Sequence, residues 1–146
     1  MKEAIIVDID GTLADVEHRV HHVRGDKKDW KSFNRSMGND TLNLWCKKLI
    51  DAMKNKNYEV LLVTGRGEDY RDHTENWLKQ NQVQYDHLWM RAAKDHRGDD
   101  IIKREIYFEK IKNQYDVLFV VDDRKSVVAM WRKLGLVCLQ CDWGDF

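Results

Sequence analysis

The chain has 146 residues, with 25 Lys plus Arg against 25 Asp plus Glu, so its formal net charge is zero with histidine neutral. That length accommodates one domain with a single sizeable core. The charge balance excludes a protein that coats long stretches of nucleic acid, which needs a basic excess, while leaving room for a local basic pocket around one phosphate or one strand end. Cys46, Cys138 and Cys141 form no paired framework, and the Cys138/Cys141 CxxC spacing lacks the second pair a structural zinc requires. They read as free thiols of a reducing compartment. No leader and no membrane span is expected, which makes the chain a cytoplasmic candidate with no membrane partner.

In chain order, Ile5, Ile6 and Val7 form a continuous β-branched run, the mark of a buried parallel strand. It ends on Asp8 and Asp10, one residue apart, followed by Gly11, which permits a sharp turn. Two neighbouring acids repel, and desolvation penalises both, so they are either a solvated turn or a cation site. From about residue 15 to residue 38 apolar periodicity is poor and charge is dense, which reads as a small insert over one end of a sheet, part helix and part loop. Its His18, His21 and His22 lack a further metal ligand at suitable spacing and read as solvated or substrate-facing.

Leu42, Trp45, Cys46, Leu49 and Met53 then recur at helical spacing, with Asn39 or Asp40 as the cap. The stretch YEVLLVTGR reads as a second strand ending at Thr64 and Gly65. A helix carrying Tyr70, Trp77 and Leu78 follows, and DHLWM is a third strand. DDIIKREIYFEKI opens with acids in its first turn and continues amphipathically as a helix. YDVLFVVDD is a fourth strand, ending on Asp122 and Asp123. Val127, Met130, Trp131 and Leu134 mark a helix that Gly135 stops, and LVCLQ is a fifth strand before the tail CDWGDF. Trp45, Trp77 and Trp131 read as core residues.

Alternating strands and helices predict an α/β fold, an open Rossmann-like sheet of about five mainly parallel strands with helices on both faces. Working groups of such sheets gather beyond the carboxyl ends of the strands. With the first strand central and the second and fourth beside it, Asp8, Asp10, Thr64, Asp122 and Asp123 converge. Lys103 reaches them from the helix after the third strand. The carboxylates form an oxygen cage suited to Mg²⁺, and the hydroxyl and ammonium complete a cradle for a phosphoryl group. Aspartate is a competent nucleophile in phosphoryl transfer.

DIDGT after an apolar strand, a Thr after the next, a Lys, and a strand ending in DD resemble the haloacid dehalogenase superfamily of phosphotransferases. RGDDIIKREIYFEKI, YDVLFVVDDRKSVVAMWRKLGL, LVTGR and the terminal GDF are further similar to the 3′-phosphatase domain of phage-type polynucleotide kinase-phosphatases. The resemblance implies Asp8 as nucleophile and Asp10 as general acid, then base. Thr64 and Lys103 would hold phosphoryl oxygens, Arg19 and Arg66 would grip substrate, and Asp99 would orient Lys103. Mg²⁺ would be held by Asp8, the Asp10 carbonyl and Asp122, with Asp123 beside or behind it. Such roles require Asp10 protonated while Asp8 is ionised.

No GxxxxGK[ST] loop occurs in the sequence, so a kinase half is not expected in this chain, which reads as a free-standing module with a minimal cap insert. The implied substrate is the 3′ end of DNA or RNA, with Arg24, Arg91 and Arg97 near the strand ends and Trp30, Phe33 and Trp89 available for base stacking. Two alternatives compete. One is a phosphatase of small phosphoesters such as nucleotides, which an insert too short to seal the site disfavours. The other is a non-catalytic phosphoacceptor module, in which the general acid Asp10 would have no purpose.

Overall fold

The computed structural model describes residues 1–145. In chain order its main elements are β1 (Lys2–Val7), β2 (Ala14–Asp15), α1 (Glu17–Val20), α2 (Trp30–Arg35), β3 (Thr41–Leu42), α3 (Leu44–Asn55), β4 (Glu59–Gly67), α4 (Arg71–Gln80), β5 (His87–Arg91), α5 (Asp99–Ile106), β6 (Tyr115–Asp122), α6 (Lys125–Lys133) and β7 (Cys138–Gln140). The five long-range strands form one sheet in the order β5-β4-β1-β6-β7, and every pairing is parallel. The expected α/β class, the strand set and the central position of β1 are all present.

Alternation along β1 sends successive side chains to opposite faces. Ile5, Val7 and Ile9 join one apolar layer with Cys46, Ile50, Trp77 and Leu78 from α3 and α4. Ala4 and Ile6 join the other with Val127, Val128 and Trp131 from α6. Because both faces of β1 are covered, its sequence is apolar without alternation until the strand runs out at Asp8. Register then sets the site. Val7 lies opposite Leu62 of β4 and Val121 of β6, so the next residue, Asp8, emerges beside Asp122.

The insert is anchored more firmly than its composition foretold. An antiparallel β2–β3 ribbon, Ala14 opposite Leu42 and Asp15 opposite Thr41, closes its two ends. Val16, Val20, Val23 and Phe33 extend the core layer of α3 and α4. Two-residue strands carry no periodic signal, so the sequence could not display this ribbon.

Several local expectations are corrected. α3 begins after Asn43, whose Nδ2 donates to the Thr12 carbonyl at 2.9 Å; neither Asn39 nor Asp40 caps it, and Leu42 lies in β3. Trp45 is 47% exposed, whereas Trp77 and Trp131 are buried as expected. The buried stripe of α3 is Cys46, Ile50 and Met53, and Trp45 sits about 100° away from it. The helix that starts at Asp99 widens into a π-helical turn over Tyr107–Ile111. Gly135 ends α6 at φ +86°, the left-handed position that favours glycine. Of the terminal GDF, Gly144 accepts the Lys125 N–H at 3.1 Å, and Phe146 lies outside the described residues.

Candidate active site

Asp8 stands at the end of β1, almost fully buried. Lys103 Nζ, from α5, donates to Asp8 Oδ1 at 2.7 Å and to Asp122 Oδ2 at 2.9 Å. An ammonium 2% exposed keeps its charge only between such partners: burial disfavours it, but Asp122 and Asp8 together raise its pKa. Asp122 is fully engaged. Its Oδ2 also accepts Trp131 Nε1 at 3.2 Å, and its Oδ1 accepts the Asp123 and Arg124 N–H groups at 2.9 and 3.3 Å.

Asp123 differs. Its carboxylate receives the Thr12 hydroxyl at a long 3.4 Å, and the same hydroxyl lies 3.3 Å from Asp8 Oδ2. Burial and the neighbouring Asp122 push its pKa up to about 7, and burial with Asp122 raises Asp8 well above the carboxylate range, Lys103 offsetting only part. Oxygens of Asp8, Asp122 and Asp123 all lie within 4.8 Å of one another. Three buried carboxylates against one ammonium leave uncompensated negative charge, and their hard oxygen donors fit a divalent cation such as Mg²⁺. Gly11 permits this crowding: a Cβ there would fall 2.1 Å from Asp123 Oδ2, and its φ is +81°.

Asp10 is held by guanidinium groups. Arg19 Nη2 donates to its Oδ1 at 2.7 Å, and Arg66 donates to the same atom through Nε at 3.0 Å and Nη2 at 2.7 Å. Burial alone would raise its pKa, but Arg66 and Arg19 overcome that and bring it down to about 2. With the chain's own charges, Asp10 is therefore the ionised member of the pair and Asp8 the raised one. This reverses the order the acid/base roles require. The sequence shows two acids one residue apart, and only the fold shows that both arginines lie against the second.

A cleft of about 480 Å³ opens above these groups. Asp8, Asp10, Arg66, Lys103, Asp122 and Asp123 line its floor, Trp30 and Phe33 of the insert one wall, and Arg91, Arg97 and Asp99 the other. Arg66 thus faces the cleft while bonded to Asp10. Arg19 does not line the cleft: it is fully buried, donating to Asp10, Asp40 and the Phe33 carbonyl. Thr64 is also fully buried, and its Oγ1 accepts the Arg66 N–H at 3.1 Å. Asp99 does not bond Lys103. Its two oxygens accept Arg91 and Arg124 instead, and it acts on Lys103 only through its charge. Of the other candidates, His18 bonds Asp40, while Trp89 stacks on His87 at 4.9 Å and lies off the cleft lining.

The sequence gives Asp40 and Thr12 no role in the site and does not single out Arg124. Thr12 is legible only as the last residue of the DIDGT motif. Asp40, in a cap position by sequence, instead binds both arginines through its buried carboxylate. Arg124 lies with its guanidinium carbon 5.2 Å from the Trp30 ring centre, joining core to insert across the cleft.

Residues 2–146 match the family described as the polynucleotide kinase PNKP phosphatase domain. The chain belongs to that family. A chain of the Pnkp1/Rnl/Hen1 complex, also solved as an RNA repair complex, is 37% identical, with a TM-score of 0.88, over 100% of this chain and 48% of that one in the first structure and 44% in the second. A relative in Autographa californica nuclear polyhedrosis virus, named for a bifunctional polynucleotide kinase/RNA ligase, is 26% identical over 135 residues, 91% of this chain and 18% of that protein. The chain thus spans less than half the length of these relatives. A haloacid dehalogenase-like hydrolase from Streptococcus pneumoniae shares the fold at a TM-score of 0.63 and 15% identity, covering 98% of this chain and 86% of that one.

Proposed function

We propose that this phosphatase-family domain removes 3′-phosphoryl groups from DNA or RNA ends through an aspartyl-phosphate on Asp8. The observation that carries the reading is the joint placement of Asp8, Lys103 and Asp10 on the floor of one open cleft. In the first step Asp8 attacks phosphorus, the P–O3′ bond breaks, and the proton of Asp10 passes to O3′. In the second, water attacks phosphorus, Asp10 takes the water proton, and the Asp8–phosphorus bond breaks to release phosphate.

Lys103 and Arg66 hold phosphoryl oxygens, and Thr64, buried and off the cleft lining, supports the Arg66 backbone through its hydroxyl. Mg²⁺, when bound, neutralises the charge that keeps an anionic nucleophile from an anionic phosphate. Asp8, Asp123 and the Asp10 carbonyl would hold it, with Asp122, whose oxygens already accept Lys103, Trp131 and two backbone N–H groups, beside them. Asp10 acts as an acid only when one guanidinium lets go of it. Arg66, which faces the cleft, is the one an incoming phosphate draws away. The substrate class is supported by the family, by the RNA repair setting of the 37% identical relative, and by the basic and aromatic walls of the cleft. The domain is a single unit with its minimal cap at about 15–38, at work in a reducing cytoplasm.

The test is an end-labelled oligonucleotide assay comparing 3′-phosphate, 5′-phosphate and 2′,3′-cyclic termini, and free mononucleotides, with and without Mg²⁺. Expected is Mg²⁺-dependent release from the 3′-phosphate, far faster than from mononucleotides. Equal turnover of mononucleotides would move the reading to small phosphoesters, and no turnover of any substrate would favour a non-catalytic phosphoacceptor.

A further inference from the structure

We propose that Asp40 is a positioning residue for proton transfer, holding Asp10 so that its Oδ2 faces the leaving oxygen. The proposal rests on the phosphatase reading above and adds a residue to it. Asp40 lies outside the cleft lining, and its side chain is fully buried. Oδ1 accepts Arg19 Nε at 2.7 Å and His18 Nε2 at 2.7 Å. Oδ2 accepts Arg19 Nη2 at 2.7 Å and Arg66 Nη2 at 3.0 Å. Its backbone carbonyl is fixed in turn by Trp77 Nε1 at 3.0 Å.

The two guanidinium nitrogens that reach Asp40 Oδ2, Arg19 Nη2 and Arg66 Nη2, are the same two that reach Asp10 Oδ1 at 2.7 Å each. One carboxylate therefore orients both arginines toward the other in the free site, and Arg19, fully buried and off the cleft, keeps that grip when Arg66 turns to the phosphate. All the guanidinium bonds to Asp10 land on Oδ1, which leaves Oδ2, among the described residues, without a side-chain donor. A carboxyl whose one oxygen is pinned from behind can present the other at a fixed angle, as directional proton transfer requires. Asp40 also supplies the negative charge that matches the second buried guanidinium. Without it, two cations would close on Asp10 and draw its carboxylate inward.

Leaving-group dependence separates this role from a merely structural one. An alkoxide such as O3′ must be protonated as it departs, whereas p-nitrophenolate leaves without a proton. Hydrolysis of the aspartyl-phosphate on Asp8 is common to both substrates, so the comparison is made on the first turnover. For Asp40→Asn, release of the 3′-hydroxyl oligonucleotide at enzyme excess should slow by about a hundredfold or more, and the p-nitrophenolate burst by much less. Equal losses on both substrates, or none on either, would overturn the proposal. If Asp40→Asn does not fold, Arg19→Lys, which keeps the charge but removes the bridge, is compared on the same pair. If neither variant folds, Asp40 is structural and the proposal falls. A wild-type chain active on p-nitrophenyl phosphate but not on the oligonucleotide sinks only the polynucleotide reading, and glycerol 2-phosphate then serves as the alkyl substrate. A wild-type chain inert to all three sinks the phosphatase reading and this one with it.

Discussion

Lys103 and Asp8, 95 positions apart in the chain, meet with Nζ 2.7 Å from Oδ1, both almost fully buried on the floor of the cleft. The contact joins the helix after β5 to the end of the central strand, so it forms only when the whole sheet is assembled. Removing the ammonium leaves Asp8 and Asp122 facing each other without a counter-charge. Lys103→Met should lower the stability of the metal-free protein by roughly 3–5 kcal/mol, as for other broken buried pairs, and abolish phosphate release. Denaturant unfolding and the end-label assay check both. A variant as stable and active as wild type would show the pair to be incidental.

Gly11→Ala should fail in a different way. The added Cβ meets Asp123 Oδ2 at 2.1 Å, and the backbone at φ +81° disfavours any L side chain by about 1–2 kcal/mol. Displacement of Asp123 should weaken Mg²⁺ binding strongly, while the modest stability loss leaves the fold intact. Mg²⁺ titration of activity and circular dichroism give the two readouts.

Asp123, pushed up to about 7, ties metal-free stability to pH. Between its ordinary value near 4 and about 7, the folded state holds a proton that the unfolded chain releases, so stability falls as pH rises through that window. Asp10 works in the opposite sense. Lowered to about 2, it contributes stability above about pH 4 that is lost as pH falls towards 2. In EDTA the melting temperature should therefore be higher at pH 5 than at pH 7.5, by roughly 2–4 °C per kcal/mol. Mg²⁺ should raise it most at the higher pH. A flat profile in EDTA would contradict the assignment.

Sequence and structure agreed where a physical pattern repeats along the chain. Ile5 to Val7, YEVLLV and YDVLFVV are strands because buried parallel strands need continuous apolar runs, and the acids that end them mark the carboxyl edge where the site lies. Illegible were contacts that depend on which residues a fold brings together. Asp40 follows the short turn Met37–Asn39 like any cap, and nothing local shows that Arg19 and Arg66 converge on it. Asp99 sits one helical turn before Lys103, yet it turns to Arg91 and Arg124, which arrive from a strand end and a loop. The protonation order of Asp8 and Asp10 likewise follows from where arginines settle, which spacing alone does not encode.

With zero net charge overall and a local set of basic groups along the cleft, among them Lys28, Lys31, Arg91, Lys94 and Arg97, the chain should bind a strand end through few phosphates. Affinity for a 3′-phosphorylated oligonucleotide should fall weakly with salt, with a slope equivalent to about one to three phosphates. A steep slope in a salt titration would argue for binding along the strand instead.

Asp10→Asn should still fold, without the stability its carboxylate contributes above about pH 4, and should lose turnover, since neither the leaving oxygen nor the attacking water has a proton partner. Full turnover in that variant would overturn the acid/base assignment.

The most direct measurement is acid quenching of the wild-type chain during turnover of an oligonucleotide carrying a radioactive 3′-phosphate. Expected is label bound to the protein, located on the Asp8 peptide, labile to hydroxylamine, and missing from Asp8→Asn, which releases no phosphate. Steady phosphate release with no label on the protein at any quench time, or release by Asp8→Asn, would contradict covalent transfer to Asp8.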